Sequence, residues 1–235
     1  MTPSPPDAAG AVLFDIDGTL VDSNYLHVHA WMRAFADLGD ELARPVDAWR
    51  IHRGIGMGSA LLLADLLGDA ADRLADRAKD GHAHHYRALA DLQRPFEGAR
   101  ELVAAVAERG ARTVLATSAA PAELEELLTV LDLDDVLTGV TSAKDVEAAK
   151  PAPDLIRAAL EIAGVPPERA VLVGDTGWDV EAAARAGVPC VAVLTGGVSE
   201  AELRAAGAAA VYRDTAALLA DLDQSPLVLT WHSED

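Results

Sequence analysis

Residues 11–23, Ala-Val-Leu-Phe-Asp-Ile-Asp-Gly-Thr-Leu-Val-Asp-Ser, constrain this chain more than any other stretch. A short apolar run ends on two carboxylates one residue apart, Asp15 and Asp17, and then on Gly18-Thr19. An apolar run of this length, stopped by glycine, predicts a buried strand. Strand side chains alternate, so a straight continuation puts Asp15 and Asp17 on one face. A turn beginning there instead puts both at the rim of a cleft, at the strand's C-terminal end. Two neighbouring carboxylates repel and desolvate each other, which is unfavourable unless a cation or a shared proton relieves them. Mg²⁺ suits the task, because it takes one or two carboxylates and keeps positions for water and phosphate. The competing reading is an Asx turn with solvated aspartates, which Asp-Gly often signals.

The length, 235 residues, allows one large domain or a domain with an insertion. The chain is 51% hydrophobic but only 4% aromatic, so its core must be built mainly from Ala, Leu and Val, as suits helices packed on a sheet. A net charge of −19 argues against nucleic acid or an anionic membrane as partner. An acidic protein still binds an anionic ligand where a metal and a few cations gather in a cleft. Lysine is scarce: Lys79, Lys144 and Lys150 stand against sixteen arginines, so a lysine beside other motif residues carries information. The one cysteine, Cys190, lies in an apolar run and reads as a buried strand residue. The first ten residues hold Pro3, Pro5 and Pro6 but no basic start and no apolar core, unlike a signal peptide. No run has the length of a membrane span. A soluble, cytoplasmic protein is the expectation.

Beyond the first strand, residues 20–95 read as helices: 25–38, 46–52, 59–67 and 70–92 carry apolar residues at helical spacing. From Pro95 onward helices alternate with short apolar strands. The expected strands are 113–117, 136–140, 170–173, 188–194 and 210–212, and the expected helices 98–108, 121–131, 153–163, 180–186 and 200–206. Regular alternation implies a parallel sheet with helices on both faces. The expected fold class is therefore α/β, a Rossmann-like parallel sheet core with an inserted α-helical cap domain. Residues 1–19 and 96–235 would form the core and 20–95 the cap, with Gly18 and Gly98 giving backbone freedom near the crossings. The apolar tail after Pro226 packs either as a last strand or as a docked segment.

Ligands of open parallel α/β sheets bind at the carboxyl ends of strands, and four such ends here carry reactive side chains. The first gives Asp15 and Asp17. Strand 113–117 ends in Thr117-Ser118, hydroxyls able to donate to phosphate oxygens. Lys150 precedes Pro151 in a loop that opens a helix. Strand 170–173 ends in Gly174-Asp175-Thr176-Gly177-Trp178-Asp179, a second acidic turn.

This ordered set, Asp-x-Asp-Gly-Thr, strand-Thr, Lys-Pro and Gly-Asp-x-x-x-Asp, resembles the haloacid dehalogenase-like superfamily in its phosphatase branch. The helical block after the first motif resembles the cap of the phosphoglycolate phosphatase and β-phosphoglucomutase subgroup, and the likeness covers about residues 11–223. The resemblance implies a Mg²⁺-dependent phosphatase acting on a small phosphorylated metabolite, with no nucleic acid or membrane partner, as monomer or homodimer. It assigns Asp15 as nucleophile, forming an aspartyl-phosphate, and Asp17 as general acid and then base. Thr117 binds the transferring phosphoryl group, helped by Ser118, and Lys150 neutralises charge. The metal set is Asp15, the Asp17 backbone carbonyl and Asp175, while Asp179 orients the metal's water shell or Lys150. Carboxylate nucleophiles split a hard displacement into two steps, and phosphoryl transfer depends mainly on positioning and charge neutralisation.

Dehalogenases of the superfamily lack the second aspartate and the metal, so Asp17 and Asp175 speak against that activity. Phosphonate hydrolysis in the family needs a cap lysine. Lys79, within the charged run 76–80, is expected on exposed ground. The rival is a phosphosugar mutase: His27 lies where mutase-like relatives place a hinge histidine that positions the general acid. A helix histidine packed beside Trp31 accounts for it equally well. Against the mutase, Asp175 and Asp179 are not adjacent. A non-catalytic binding module is disfavoured because no motif is broken. The candidate substrate-binding residues are Ser118, Gly18, His27, Arg50 and Arg53, the two arginines flanking a glycine-rich cap loop where they could hold a second anionic group. His82, His84 and His85 are expected on a solvated helix face, and Trp178 either walls the cleft or packs behind it.

Overall fold

The structure, a computed structural model, describes residues 10–42, 44–142 and 148–231. The proline-containing start and Lys144 lie outside these residues. A six-stranded, all-parallel sheet has the order β3-β2-β1-β4-β5-β6. Its strands are β1 (Ala11–Phe14), β2 (Arg112–Leu115), β3 (Gly139–Val140), β4 (Ala170–Gly174), β5 (Cys190–Val193) and β6 (Ala210–Tyr212). Alternation along β1 sends Val12 and Phe14 into one apolar layer and Ala11 and Leu13 into the other. The first layer is closed by α5 (Ala99–Glu108), α6 (Pro121–Leu131) and α10 (Thr215–Ala220). The second is closed by α7 (Asp154–Ala163), α8 (Gly177–Ala186) and α9 (Glu200–Ala206). Burial on both faces explains why these strands read as continuous apolar runs.

Between β1 and α5 come α1 (Asn24–Asp37), α2 (Ala48–Gly54), α3 (Ser59–Leu67) and α4 (Ala71–Arg87). They bury an apolar cluster of their own, centred on Trp31, Phe35, Leu62, Leu63, Leu74 and Ala78. The chain enters and leaves this block side by side. Val21 and Pro95 form an isolated antiparallel bridge, and the Asp22 and Phe96 amides donate to the Arg94 and Leu20 carbonyls, each at 2.9 Å.

Three departures from the expected elements have local causes. β3 keeps only two of its five expected residues, because the Val136 amide donates to Leu133 and holds the chain in a turn. α8 starts three residues early, since Thr176 and Asp179 form a reciprocal capping box. α10, unforeseen, is capped by Asp214, whose carboxylate accepts from the Ala217 amide at 2.7 Å. The tail docks as a 3-10 turn, Pro226–Thr230, burying Leu227 and accepting the Gly10 amide at Thr230. Cys190 is buried in β5, as expected. Among the described residues no helix is long and apolar enough to cross a membrane.

Candidate active site

β1 sits where the sheet order reverses, with β2 on one side and β4 on the other, so its carboxyl end opens at the topological switch point. Asp15 follows β1 directly. Its amide donates to the Val173 carbonyl at 2.9 Å, which pins its backbone to β4. Its Oδ1 receives Lys150 Nζ at 2.5 Å, and the same ammonium lies 2.6 Å from Asp179 Oδ1. The other Asp179 oxygen accepts from the Thr176 amide and hydroxyl, at 3.0 and 2.6 Å. Asp179 thus joins Lys150 to the first turn of α8. Asp175, wholly buried, accepts Thr19 Oγ1 at 2.9 Å on one oxygen and Asn24 Nδ2 at 2.8 Å on the other. A Cβ on Gly196 would stand 1.8 Å from Asp175 Oδ2, so only glycine lets the β5 loop approach. Asp15, Asp175 and Asp179 each bring a carboxylate oxygen within 4.8 Å of the others.

Burial pushes the Asp15 carboxyl up to about 7 against the pull of Lys150, and the Asp179 charge adds to the rise. Asp175 is raised well above its ordinary value by burial and by the Asp179 and Asp15 charges. Burial works to lower the Lys150 ammonium, but Asp15 and Asp179 together raise it. Asp15 and Asp179 share one ammonium, with the Asp175 carboxyl close by.

Asp17 turns to different company. Its Oδ1 accepts Ser23 Oγ at 2.6 Å and lies 3.3 Å from His27 Nε2. Burial favours its protonated form, yet the hydrogen bond and charge of His27, with Ser23, hold it below the usual carboxylate value. The same His27 nitrogen stands 3.5 Å from Glu123 Oε1, and His27 Nδ1 meets His82 Nε2 at 3.0 Å. Tyr86 stacks on His27 with ring centroids 3.9 Å apart, and Trp31 stacks on His82 at 4.2 Å.

A cavity of about 440 Å³ opens over these groups. Asp15, Asp17, His27, Thr117, Ser118 and Lys150, all singled out in the sequence, line it. Thr117 Oγ1 accepts the Ala119 amide at 3.1 Å, which leaves its hydrogen to donate to a ligand. Gly18 is not on this wall. It has φ +80°, and a Cβ there would strike Asn24 and Asp175, so it packs behind the site. Arg50 and Arg53 are also kept away. Arg50 donates to the Asp65 carbonyl and carboxylate, while Arg53 pairs with Glu202 at 2.7 Å on a separate cavity of about 350 Å³. Opposite charge close by outbids a distant pocket for a long, flexible side chain.

The histidine and lysine expectations need correction. His84 is exposed and His85 reaches Asp37 at 2.6 Å, but His82 is turned inward onto His27 and the cavity. Lys79, expected outside, lines the cavity from α4. Trp178 packs behind the cleft: its indole N–H donates to the Arg53 carbonyl at 3.2 Å, tying α8 to α2.

Residues 9–187 match the haloacid dehalogenase-like hydrolase family. The chain belongs to that family. Phosphoglycolate phosphatase of Rhodospirillum rubrum is 35% identical over 217 residues, covering 88% of each chain. A hydrolase from Pseudomonas syringae superposes with a TM-score of 0.85 at 35% identity, over 92% of this chain and 98% of its own. CbbY from Rhodobacter sphaeroides, solved with phosphate, superposes with a TM-score of 0.74 at 28% identity, over 92% and 99%. The sheet and helical block of this hydrolase are therefore those of its solved relatives, and the resemblance expected from the four motifs is correct.

Of the polar groups around the two aspartates, Asn24, His82, Tyr86 and Glu123 are not among the site residues that the sequence singles out. Only α4 carried a signal: Leu74, Ala78, His82 and Tyr86 recur every fourth residue, the spacing of one helix face.

Proposed function

We propose that this hydrolase is a Mg²⁺-dependent phosphatase that cleaves a small phosphomonoester through a phosphoryl group carried on Asp15. The observation that carries the reading is the Lys150 ammonium 2.5 Å from the Asp15 carboxylate, on a cavity that also holds Thr117 and Ser118. The donor chemistry fits a hard divalent cation: clustered buried carboxylates, two of them pushed up, carry more charge than one ammonium balances. Asp15 and Asp175, with the Asp17 carbonyl, would hold Mg²⁺. Asp179, both of whose oxygens are already engaged, serves to hold Lys150. Bound there, Mg²⁺ supplies positive charge that ionises Asp15 and offsets the repulsion between nucleophile and phosphate.

The remaining roles fall to the protein. Asp15 attacks phosphorus in line with the leaving oxygen. Thr117 and Ser118 donate to the phosphoryl oxygens, and Lys150 bears on the charge shared by Asp15 and the phosphate. Asp17, held by Ser23 and His27, protonates the leaving oxygen and then takes a proton from the incoming water. We take residues 20–95 as the cap that closes over the substrate, and residues 1–19 and 96–235 as the core. The relatives' activity makes 2-phosphoglycolate the first ester to test, with a cytoplasmic small metabolite as the expected class. A phosphosugar mutase is the second reading, favoured by His27 standing against Asp17.

Phosphate release from p-nitrophenyl phosphate, 2-phosphoglycolate and small sugar phosphates, with Mg²⁺ and with EDTA, tests the reading. The expected result is metal-dependent release that falls to background in Asp15→Asn. Release from no ester would overturn it, and interconversion of glucose phosphates with a bisphosphate primer would favour the mutase.

A further inference from the structure

His27 is clamped from both ring nitrogens, by residues of two other helices and by Asp17 in the loop after β1. Its own helix, α1, carries it to Asp17, α4 brings His82 to Nδ1, and α6 brings Glu123 to Nε2. Glu123 is in the first turn of α6, in the sheet-bearing part of the chain, while His82 belongs to the helical block.

The contacts fix where hydrogens must lie. Two imidazole nitrogens 3.0 Å apart share one hydrogen, which either ring may own. At the other nitrogen a bare lone pair would face two carboxylate oxygens and be repelled by both. His27 therefore carries hydrogen on Nε2 whichever ring owns the shared one, and donates it between Asp17 at 3.3 Å and Glu123 at 3.5 Å. Stacking of Tyr86 on the ring at 3.9 Å, and of Trp31 on His82, fixes the plane in which that N–H points.

We propose that Glu123 and His82 are positioning residues for Asp17, acting through His27: together they keep the His27 Nε2–H directed at the Asp17 carboxyl, and so hold that carboxyl toward the leaving oxygen of the substrate. Glu123 is the second acceptor for that hydrogen. When Asp17 holds a proton and accepts more weakly, Glu123 retains the His27 ring in place for the next half-reaction. Because His82 and Glu123 come from opposite sides of the cavity, the arrangement is complete only with the helical block against the sheet. The proposal rests on the phosphatase reading for the role of Asp17, and extends it to residues that no motif contains.

Leaving-group dependence separates positioning from a structural role. An alkyl phosphate needs a proton on its departing oxygen, whereas p-nitrophenolate departs without one. In the full chain, Glu123→Ala and His82→Ala are expected to lower kcat/KM about tenfold more for an alkyl phosphate than for p-nitrophenyl phosphate. KM for the two esters should move little. Glu123→Gln, which keeps a hydrogen-bond acceptor, should recover most of the alkyl-specific loss. Equal losses on both esters, or a Gln variant as impaired as Ala, would overturn the proposal. A second measurement does not depend on turnover or on a folded Ala variant. The ¹⁵N-imidazole spectrum of the wild-type chain should show a protected Nε2–H that disappears in His27→Gln and shifts in Glu123→Gln. Absence of that signal would overturn the clamp, whereas a wild type inert toward every ester, with the signal present, would overturn only the phosphatase reading.

Discussion

Asp15 and Asp17 are separated by one residue, yet the protein drives their carboxyls in opposite directions. Burial raises Asp15 to about 7 despite Lys150, while His27 and Ser23 hold Asp17 below its ordinary value although burial pushes it upward too. The difference lies in the partners. Asp15 shares one ammonium with Asp179 and lies beside Asp175, so negative charge is in excess around it. Asp17 has a hydroxyl and an imidazole to itself, apart from the competition of Glu123. Pairs of carboxyls pushed apart in this way mark a division of labour between acid–base and nucleophilic roles. Here the directions also show what each side lacks. In the proposed reaction Asp15 would need further positive charge to act as a nucleophile, and Asp17 the negative charge of an arriving phosphate to hold a proton.

The largest expected effect breaks the Asp15 side. Lys150→Met leaves Asp15 and Asp179 buried without their shared cation, which should destabilise the protein by about 3–5 kcal/mol. Urea unfolding in EDTA measures it, and a loss below about 1 kcal/mol would mean that the two carboxylates are already protonated. A smaller effect sharpens the comparison through pH. Asp15 goes from its ordinary 3.8 to about 7 on folding, so between those values the folded protein holds a proton that the unfolded chain releases. Stability of the metal-free protein should therefore fall as pH rises from about 4 to about 7. Asp175 and Glu123, also raised by burial, contribute with the same sign, while His82, lowered by burial to about 3, opposes them. Thermal unfolding in EDTA across that range should show the decline, and Mg²⁺ should flatten it; a metal-independent profile would break the assignment of Asp15 and Asp175 as ligands.

The smallest effect lies away from both carboxylates. Trp178→Phe removes one hydrogen bond between α8 and the Arg53 carbonyl of α2, worth about 1 kcal/mol. Modest destabilisation with unchanged Mg²⁺ affinity is expected in isothermal titration. A large change in affinity would mean that this contact reaches the metal site.

The sheet and the four strand-end motifs were legible because both are written locally. Buried parallel strands appear as apolar runs, and Asp15, Thr117, Lys150 and Asp175 each terminate one or follow in its loop. Only part of what surrounds Asp17 was legible: His27, ten residues on, stands out in the sequence, whereas Glu123 and His82, which flank His27, come from distant parts of the chain. Glu123 stands in an ordinary acidic first turn of a helix, and nothing in its surroundings signals His27. Histidine counts as polar in an apolar pattern and so hides His82, although its spacing from Ala78 and Tyr86 places it on the buried face of α4. Arg50 and Arg53 are held off the cavity by counter-charges that the sequence does not mark: Asp65 and Glu202 are 15 and 149 residues away, and only the fold brings the latter close. The α10 helix was hidden by its brevity, six residues fixed by one cap.

The central claim is that Asp15 takes up the phosphoryl group and Asp17 is needed to release it. Asp17→Asn tests this directly when mixed with ³²P-labelled p-nitrophenyl phosphate and Mg²⁺, then quenched in acid. A burst of about one equivalent of p-nitrophenol per chain is expected. The label should appear on the peptide that contains Asp15, and free phosphate should follow only slowly. Steady release with no protein-bound label, or label on another residue, would contradict it.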